Sequence, residues 1–126
     1  MDNGTILVVD DSKDFIFLLS SLLKFHKIQV DAVADAQEAI KLCRSKEYSL
    51  IISDYLMEGM NGLELCQEIR REGMNQNVPG ILITAKDLES EELQLLSRLS
   101  LTYVKKPVMP NELYRKINDI MGRKRE

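Results

Sequence analysis

The 126-residue sequence has no tryptophan, one histidine (His26) and two cysteines, Cys43 and Cys66. A single histidine excludes a metal cluster built on several imidazoles, and any triad that needs a second histidine. The cysteines fall in separate amphipathic segments and form no CxxC. They read as two structural thiols in a reducing compartment, the cytoplasm. No apolar run approaches the roughly 20 residues that span a bilayer, and no charged-then-apolar signal segment opens the chain, so no membrane association is expected. With 17 Lys and Arg against 20 Asp and Glu, the formal charge of −3 offers no basic surface, and nucleic-acid binding by this domain is not expected. A GxxxxGK[ST] phosphate loop is missing too, which excludes a P-loop NTPase. We find no internal repeat, low-complexity stretch or internal linker.

What remains is the composition of an ordinary globular domain, 44% apolar and 29% charged. The length suits one domain, expected over residues 1–122. The last residues, 123–126, are a basic tail or the start of a linker. Short apolar runs alternate with amphipathic segments. "TILVVDD" predicts a strand near 6–9, and a helix over 13–26 follows with Ser12 as N-cap and Phe15, Leu19, Leu22 and Leu23 at helical spacing. "IQVDAVA" is a second strand with mixed faces. The next helix opens with Asp35 three residues before Glu38, as in a capping box, and turns Ala39, Ile40, Leu42 and Cys43 inward. "LIIS" and "GILITA" are further strands, with "NGLELCQEIRREG" between them closed by Gly73. "LESEELQLLSRLS", "TYVK" and "NELYRKINDIMG" complete the series, Pro110 suiting a first helical turn. Strands alternating with helices predict an α/β fold, a parallel sheet covered on both faces.

Right-handed crossovers bring every strand end to one edge. The first strand ends in Asp10 and Asp11, the third in Asp54, the fourth in Thr84, and the fifth in Lys105, Lys106 and Pro107. Alone, Asp54 reads as a turn opener and Lys106-Pro107 as a strand terminus. Together they place three carboxylates, a hydroxyl and an ammonium on one rim. Clustered carboxylates repel unless a cation or proton intervenes, and oxygen ligands of this kind suit Mg²⁺. A lysine and a hydroxyl beside them suit phosphoryl oxygens. The rim reads as built for a phosphoryl group carried on a carboxylate.

Through "ILVVDD", "LIISD", "MNGLEL", "ILITAK" and "YVKKP", the sequence closely resembles the receiver domain of two-component response regulators. The resemblance implies a flavodoxin-like, doubly wound sheet of strand order 2-1-3-4-5 with five helices. It implies Asp54 as phosphoacceptor, and Asp10, Asp11, Asp54 and the Leu56 backbone carbonyl as Mg²⁺ ligands. Thr84 and Lys106 would contact the phosphoryl group, and Thr84 with Tyr103 would form the switch. Leu56 and Lys86 would tune phosphoryl lifetime. The implied partner is a sensor histidine kinase or phosphotransfer protein. The surface of the fourth helix, fifth strand and fifth helix would serve a homodimer or an output partner. Such a domain is not an enzyme beyond its own phosphoryl uptake and slow loss.

Three stretches depart from the family pattern. Glu58 stands where many receivers carry proline, Leu99-Ser100-Leu101-Thr102 precedes the fifth strand, and Met109 supplies no capping oxygen. The fourth helix region carries Leu88, Leu93, Leu95, Leu96, Leu99 and Leu101, spread over more than one face. These leucines read equally as core or as a partner surface. An aspartyl-phosphate hydrolase would need an acid two residues after the nucleophile, where Leu56 stands. A pseudo-receiver acting without phosphorylation is the other alternative, set against five intact rim residues.

Overall fold

The computed structural model describes residues 4–121. In chain order it contains β1 (Thr5–Val9), α1 (Lys13–Phe25), β2 (Gln29–Val33), α2 (Ala36–Ser45), β3 (Leu50–Asp54), α3 (Gly62–Arg71), β4 (Gly80–Thr84), α4 (Ser90–Arg98), β5 (Leu101–Lys105) and α5 (Pro110–Ile120). All strand pairings are parallel and the order is β2-β1-β3-β4-β5, as expected. The basic tail expected at the C-terminus lies outside the described residues.

Alternation along the three central strands sorts their apolar side chains. Ile6, Val8, Leu50, Ile52, Ile81 and Ile83 face α1 and α5, and pack with Leu19, Leu23, Leu113 and Ile117. Leu7, Val9 and Ile51 turn the other way, onto Ala39, Ile40 and Cys43 of α2 and Leu65 and Ile69 of α3. Leu82 joins Cys66, Leu88, Leu96 and Leu101 in a third cluster beneath α4. The edge strands β2 and β5 are only partly covered, which explains the mixed faces of "IQVDAVA".

Local chemistry sets the helix starts. Ser12 Oγ accepts from the Phe15 N–H at 3.2 Å and an Asp35 carboxylate oxygen from the Glu38 N–H at 2.8 Å. Asn61 and Glu64 close a full capping box on α3. Pro110 is the first residue of α5 and Met109 caps it without a side-chain bond. Three expectations shift slightly. The cap of α3 is Glu72, in extended conformation, with Gly73 (φ 96°) just beyond it. Leu42 packs inward against the α2–α3 cluster but is only half-buried. His26 caps α1, its backbone N–H donating to the Leu22 and Leu23 carbonyls, while its ring stacks on Tyr114 of α5 at 3.8 Å between centroids.

β1 connects outward to β2 on one side, and β3 begins the run to β4 and β5 on the other. The strand order therefore reverses between β1 and β3, which leaves a crevice at their carboxyl ends.

Candidate functional site

The crevice receives its residues from strand ends held in register. Val9 lies opposite Ser53, Asp54 opposite Ile83, and Thr84 opposite Lys105. Asp10, Asp54, Thr84 and Lys106 thus arrive on one edge within a residue of one another. The Lys106 N–H donates to the Thr84 carbonyl at 2.8 Å, extending the ladder to the site.

Asp10, Asp11 and Asp54 each offer a carboxylate oxygen, and these oxygens lie within 4.8 Å of one another. Asp10 is buried, at 2% exposure, and its Oδ1 accepts from the Ser12 N–H at 2.8 Å. Burial pushes its carboxyl above the usual range; the Ser12 N–H opposes this, and the charge of Asp54 adds to it. The Lys106 ammonium stands 3.5 Å from Asp54 Oδ1. Lys105, next to it, pairs with Asp87 instead. The Lys106–Pro107 peptide is cis. Thr84 is buried, and its Oγ1 accepts from the Lys86 N–H at 3.1 Å, which uses a lone pair and leaves the hydroxyl proton to donate.

Behind Asp54, α3 comes very close. A Cβ on Gly62 would lie 2.7 Å from the Asp54 carbonyl oxygen and 3.2 Å from the Tyr55 Cα, while the Gly62 N–H donates to the Tyr55 carbonyl at 2.8 Å. Only glycine admits that approach, so Gly62 seats α3 against the end of β3. In the sequence it read only as the start of a helix.

The remaining expected residues surround this centre. Leu56, two residues after Asp54, is 60% exposed. Tyr103 is half-buried and packs against the cluster of Tyr55, Leu82, Leu88 and Leu96. Lys86 points to α4, its Nζ 3.6 Å from Glu92 Oε2. That same oxygen accepts from the Tyr55 hydroxyl at 3.1 Å, and Oε1 accepts from the Glu89 N–H at 2.9 Å. The Glu89 N–H above all, then the Tyr55 hydroxyl and Lys86, hold the Glu92 carboxyl below its usual range. Burial and Glu92 push the Tyr55 hydroxyl up. Glu92 did not figure among the sequence candidates, because nothing local to "SEELQ" marks its partners.

The leucines of the α4 region divide. Leu88, Leu96 and Leu101 are buried, Leu95 and Leu99 are partly covered, and Leu93 is exposed. Beside Asp10 and Lys106 a cleft of about 520 Å³ opens between α1 and the β5–α5 connection, walled mainly by Phe15, Leu18, Leu22, Val108 and Leu113.

Hard oxygen donors converging on one point, with an ammonium and a hydroxyl beside them, are a donor set for a small divalent ion and a phosphoryl group. The chain is similar to several known proteins. A family model described as the response regulator receiver domain matches residues 6–118. The response regulator SaeR of Staphylococcus aureus is 30% identical over 118 residues, covering 94% of this chain and 50% of that protein. The chain thus spans about half the length of the curated relatives it matches. Among solved structures, the chemotaxis protein CheY4 of Vibrio cholerae superposes with a TM-score of 0.83 at 25% identity, over 93% of this chain and 98% of that one. The receiver domain of the sensor histidine kinase PA1611 of Pseudomonas aeruginosa gives 0.81 at 26% identity, over 94% and 98%, and its structure has a magnesium ion coordinated in the active-site cleft.

Proposed function

The chain belongs to the response regulator receiver domain family, and from that premise we propose that it is a phosphorylation-controlled signalling domain, spanning residues 1–122, with Asp54 as the acceptor. The observation that carries this reading is the Lys106 ammonium 3.5 Å from Asp54, beside the converging carboxylates of Asp10 and Asp11.

The donor is a phosphorylated imidazole on a sensor histidine kinase or phosphotransfer protein, meeting this chain in the cytoplasm. An Asp54 carboxylate oxygen forms a bond to phosphorus while the P–N bond breaks, and its electron pair returns to the imidazole nitrogen, which takes up a proton. Lys106 balances charge on the transferring oxygens, and the Thr84 hydroxyl donates to one of them. Asp10, Asp11, Asp54 and the Leu56 carbonyl would hold Mg²⁺, which, when bound, would neutralise charge on the phosphoryl oxygens. The cleft beside Lys106 is apolar and open, and suits the partner helix that presents the imidazole. Loss of the group is hydrolysis: water attacks phosphorus, the bond to Asp54 breaks, and carboxylate and inorganic phosphate are restored. The domain is an acceptor and not a turnover enzyme.

After transfer, Thr84 moves toward the new oxygens and Tyr103 follows into the space it leaves. The α4–β5–α5 surface then controls a homodimer or an output partner. Leu56 shields the acyl phosphate from water. Leu56→Asn should therefore hydrolyse faster; an unchanged rate after phosphate washout would remove that role.

Intact mass after incubation with acetyl phosphate and Mg²⁺ tests the acceptor. One added phosphoryl group is expected in the wild-type chain, and none in Asp54→Ala or in the presence of a chelator. No gain in the wild-type chain, with metal binding confirmed, would favour a pseudo-receiver acting without phosphorylation.

A further inference from the structure

The phosphoacceptor and the threonine of the switch each have a close sequence neighbour that reaches the same carboxylate on α4. Tyr55, directly after Asp54, donates its hydroxyl to Glu92 Oε2, and Lys86, two residues after Thr84, places its ammonium 3.6 Å from the same oxygen. Glu92 in turn ties down the start of its own helix by accepting the Glu89 N–H. One side chain therefore fastens the first turn of α4 to the ends of both β3 and β4.

The two fastenings differ in kind. Tyr55 is buried, at 6% exposure, and its ring belongs to the cluster under α4, so its hydroxyl cannot travel. The Lys86 side chain is 49% exposed on a long flexible stem, while its backbone is held at the rim by the Thr84 hydroxyl. Asp87, its neighbour, is already engaged by Lys105, which leaves Glu92 as the carboxylate facing Lys86. A water-exposed ion pair is weak, and a phosphoryl group brings close to two negative charges, against one on Glu92.

We propose that Glu92 is a positioning residue that withholds Lys86 from the phosphoryl site, and that Lys86 is shared between α4 and the group on Asp54. Charge arriving on Asp54 draws Lys86 off Glu92 and loosens the first turn of α4. This rests on Asp54 being the acceptor, and it adds to the Thr84–Tyr103 movement a second, electrostatic route from the site to the switch surface. The two acceptors compete for one cation, so the coupling is reciprocal: whatever frees Lys86 from Glu92 assists phosphoryl uptake.

The test uses the whole chain with acetyl phosphate and Mg²⁺, comparing the wild type with Glu92→Gln, Lys86→Met, Lys86→Arg and the Glu92→Gln/Lys86→Met pair. Glu92→Gln should take up phosphoryl groups about two- to five-fold faster, the scale of one exposed charge interaction. The double variant should match Lys86→Met alone, because Glu92 acts through Lys86, and Lys86→Arg should stay near wild type. Hydrogen exchange supplies a readout that needs no phosphoryl group. Amides of Ser90 to Leu93 should exchange faster in unphosphorylated Glu92→Gln and Lys86→Met than in wild type. In wild type they should speed up on phosphorylation, and in Lys86→Met they should not. A Glu92→Gln effect that persists undiminished without Lys86, or α4 exchange indifferent to both variants, would overturn the coupling while leaving Asp54 as the acceptor. A wild-type chain that gains no phosphoryl group would overturn both.

Discussion

The two ends of the sheet treat their polar groups in opposite ways. At the carboxyl end Asp10, Asp11 and Asp54 face one another, with Lys106 the nearest compensating charge. Toward the amino end, polar groups of Asn75, Arg70 and Asp31 are met by partners of the opposite kind. Asn75, 2% exposed, accepts the Tyr48 N–H at 2.8 Å and donates to the Cys43 and Lys46 carbonyls at 2.9 Å each. Nearby, Arg70 donates to the Val78 carbonyl through Nε and Nη2 at 3.0 and 2.7 Å. Asp31, on the edge strand β2, accepts from the Tyr48 hydroxyl at 2.7 Å and the Lys46 ammonium at 2.9 Å. One end holds the fold together; the other keeps an excess of negative charge that a cation would offset. Conflict between local rules concentrates where a protein works.

Breaking the satisfied end should cost the most stability. Asn75→Ala strands the Tyr48 N–H and two carbonyls, and should lower unfolding stability by about 3 kcal/mol in a urea titration. Phosphoryl uptake by the folded fraction should stay intact. At the other end the sign reverses. Asp10→Asn removes one of the repelling charges while its amide oxygen can still accept the Ser12 N–H. It should therefore raise stability without metal by about 1 kcal/mol, at the expense of phosphoryl uptake. Mg²⁺ at a hundred times its dissociation constant should stabilise the wild-type chain by about 2.7 kcal/mol, and Asp10→Asn far less. Equal Mg²⁺ stabilisation of both proteins would place the ion elsewhere.

The smallest effect concerns Asp31. The Tyr48 hydroxyl and, against burial, Lys46 hold its carboxyl below the ordinary value of 3.8. A depressed folded value means a contribution that is complete above the unfolded value and lost as pH falls through the folded one. Asp31→Asn should thus flatten the stability profile below about pH 4 and lower stability at neutral pH by up to ~1 kcal/mol, since the pair is partly exposed. A wild-type acid limb unchanged by the substitution would show that Asp31 gains nothing from its partners.

What the sequence made legible follows the same division. The central strands announced themselves as apolar runs because both their faces are buried, and the rim followed once those strands were parallel, since parallel strands share one carboxyl edge. Ser12, Asp35 and Pro110 were legible as helix starts because capping is local chemistry. Pairings between distant segments left no such mark. Asn75 sits in "MNQN", which reads as a polar turn, and its partners lie 27 to 32 residues away. Tyr55 and Glu92 are 37 residues apart, and neither looks unusual alone. Gly62 was visible as a residue, but its close approach to Asp54 is a fact of packing only.

The far end of α4 gives the loosened first turn a mechanical meaning. Arg70 Nη1 donates to the carbonyl of Leu99, the cap that ends α4, while the rest of its guanidinium holds the Val78 carbonyl. Arg70 belongs to α3, so this contact is a fulcrum seated on the body of the domain. Nine residues of helix make an arm of about 13 Å. Loosened at its first turn, where Tyr55 still holds Glu92, the arm would pivot on Leu99 and shift most toward Ser90. The displacement would be greatest beside the ends of β3 and β4, on the turn that carries the exposed Leu93.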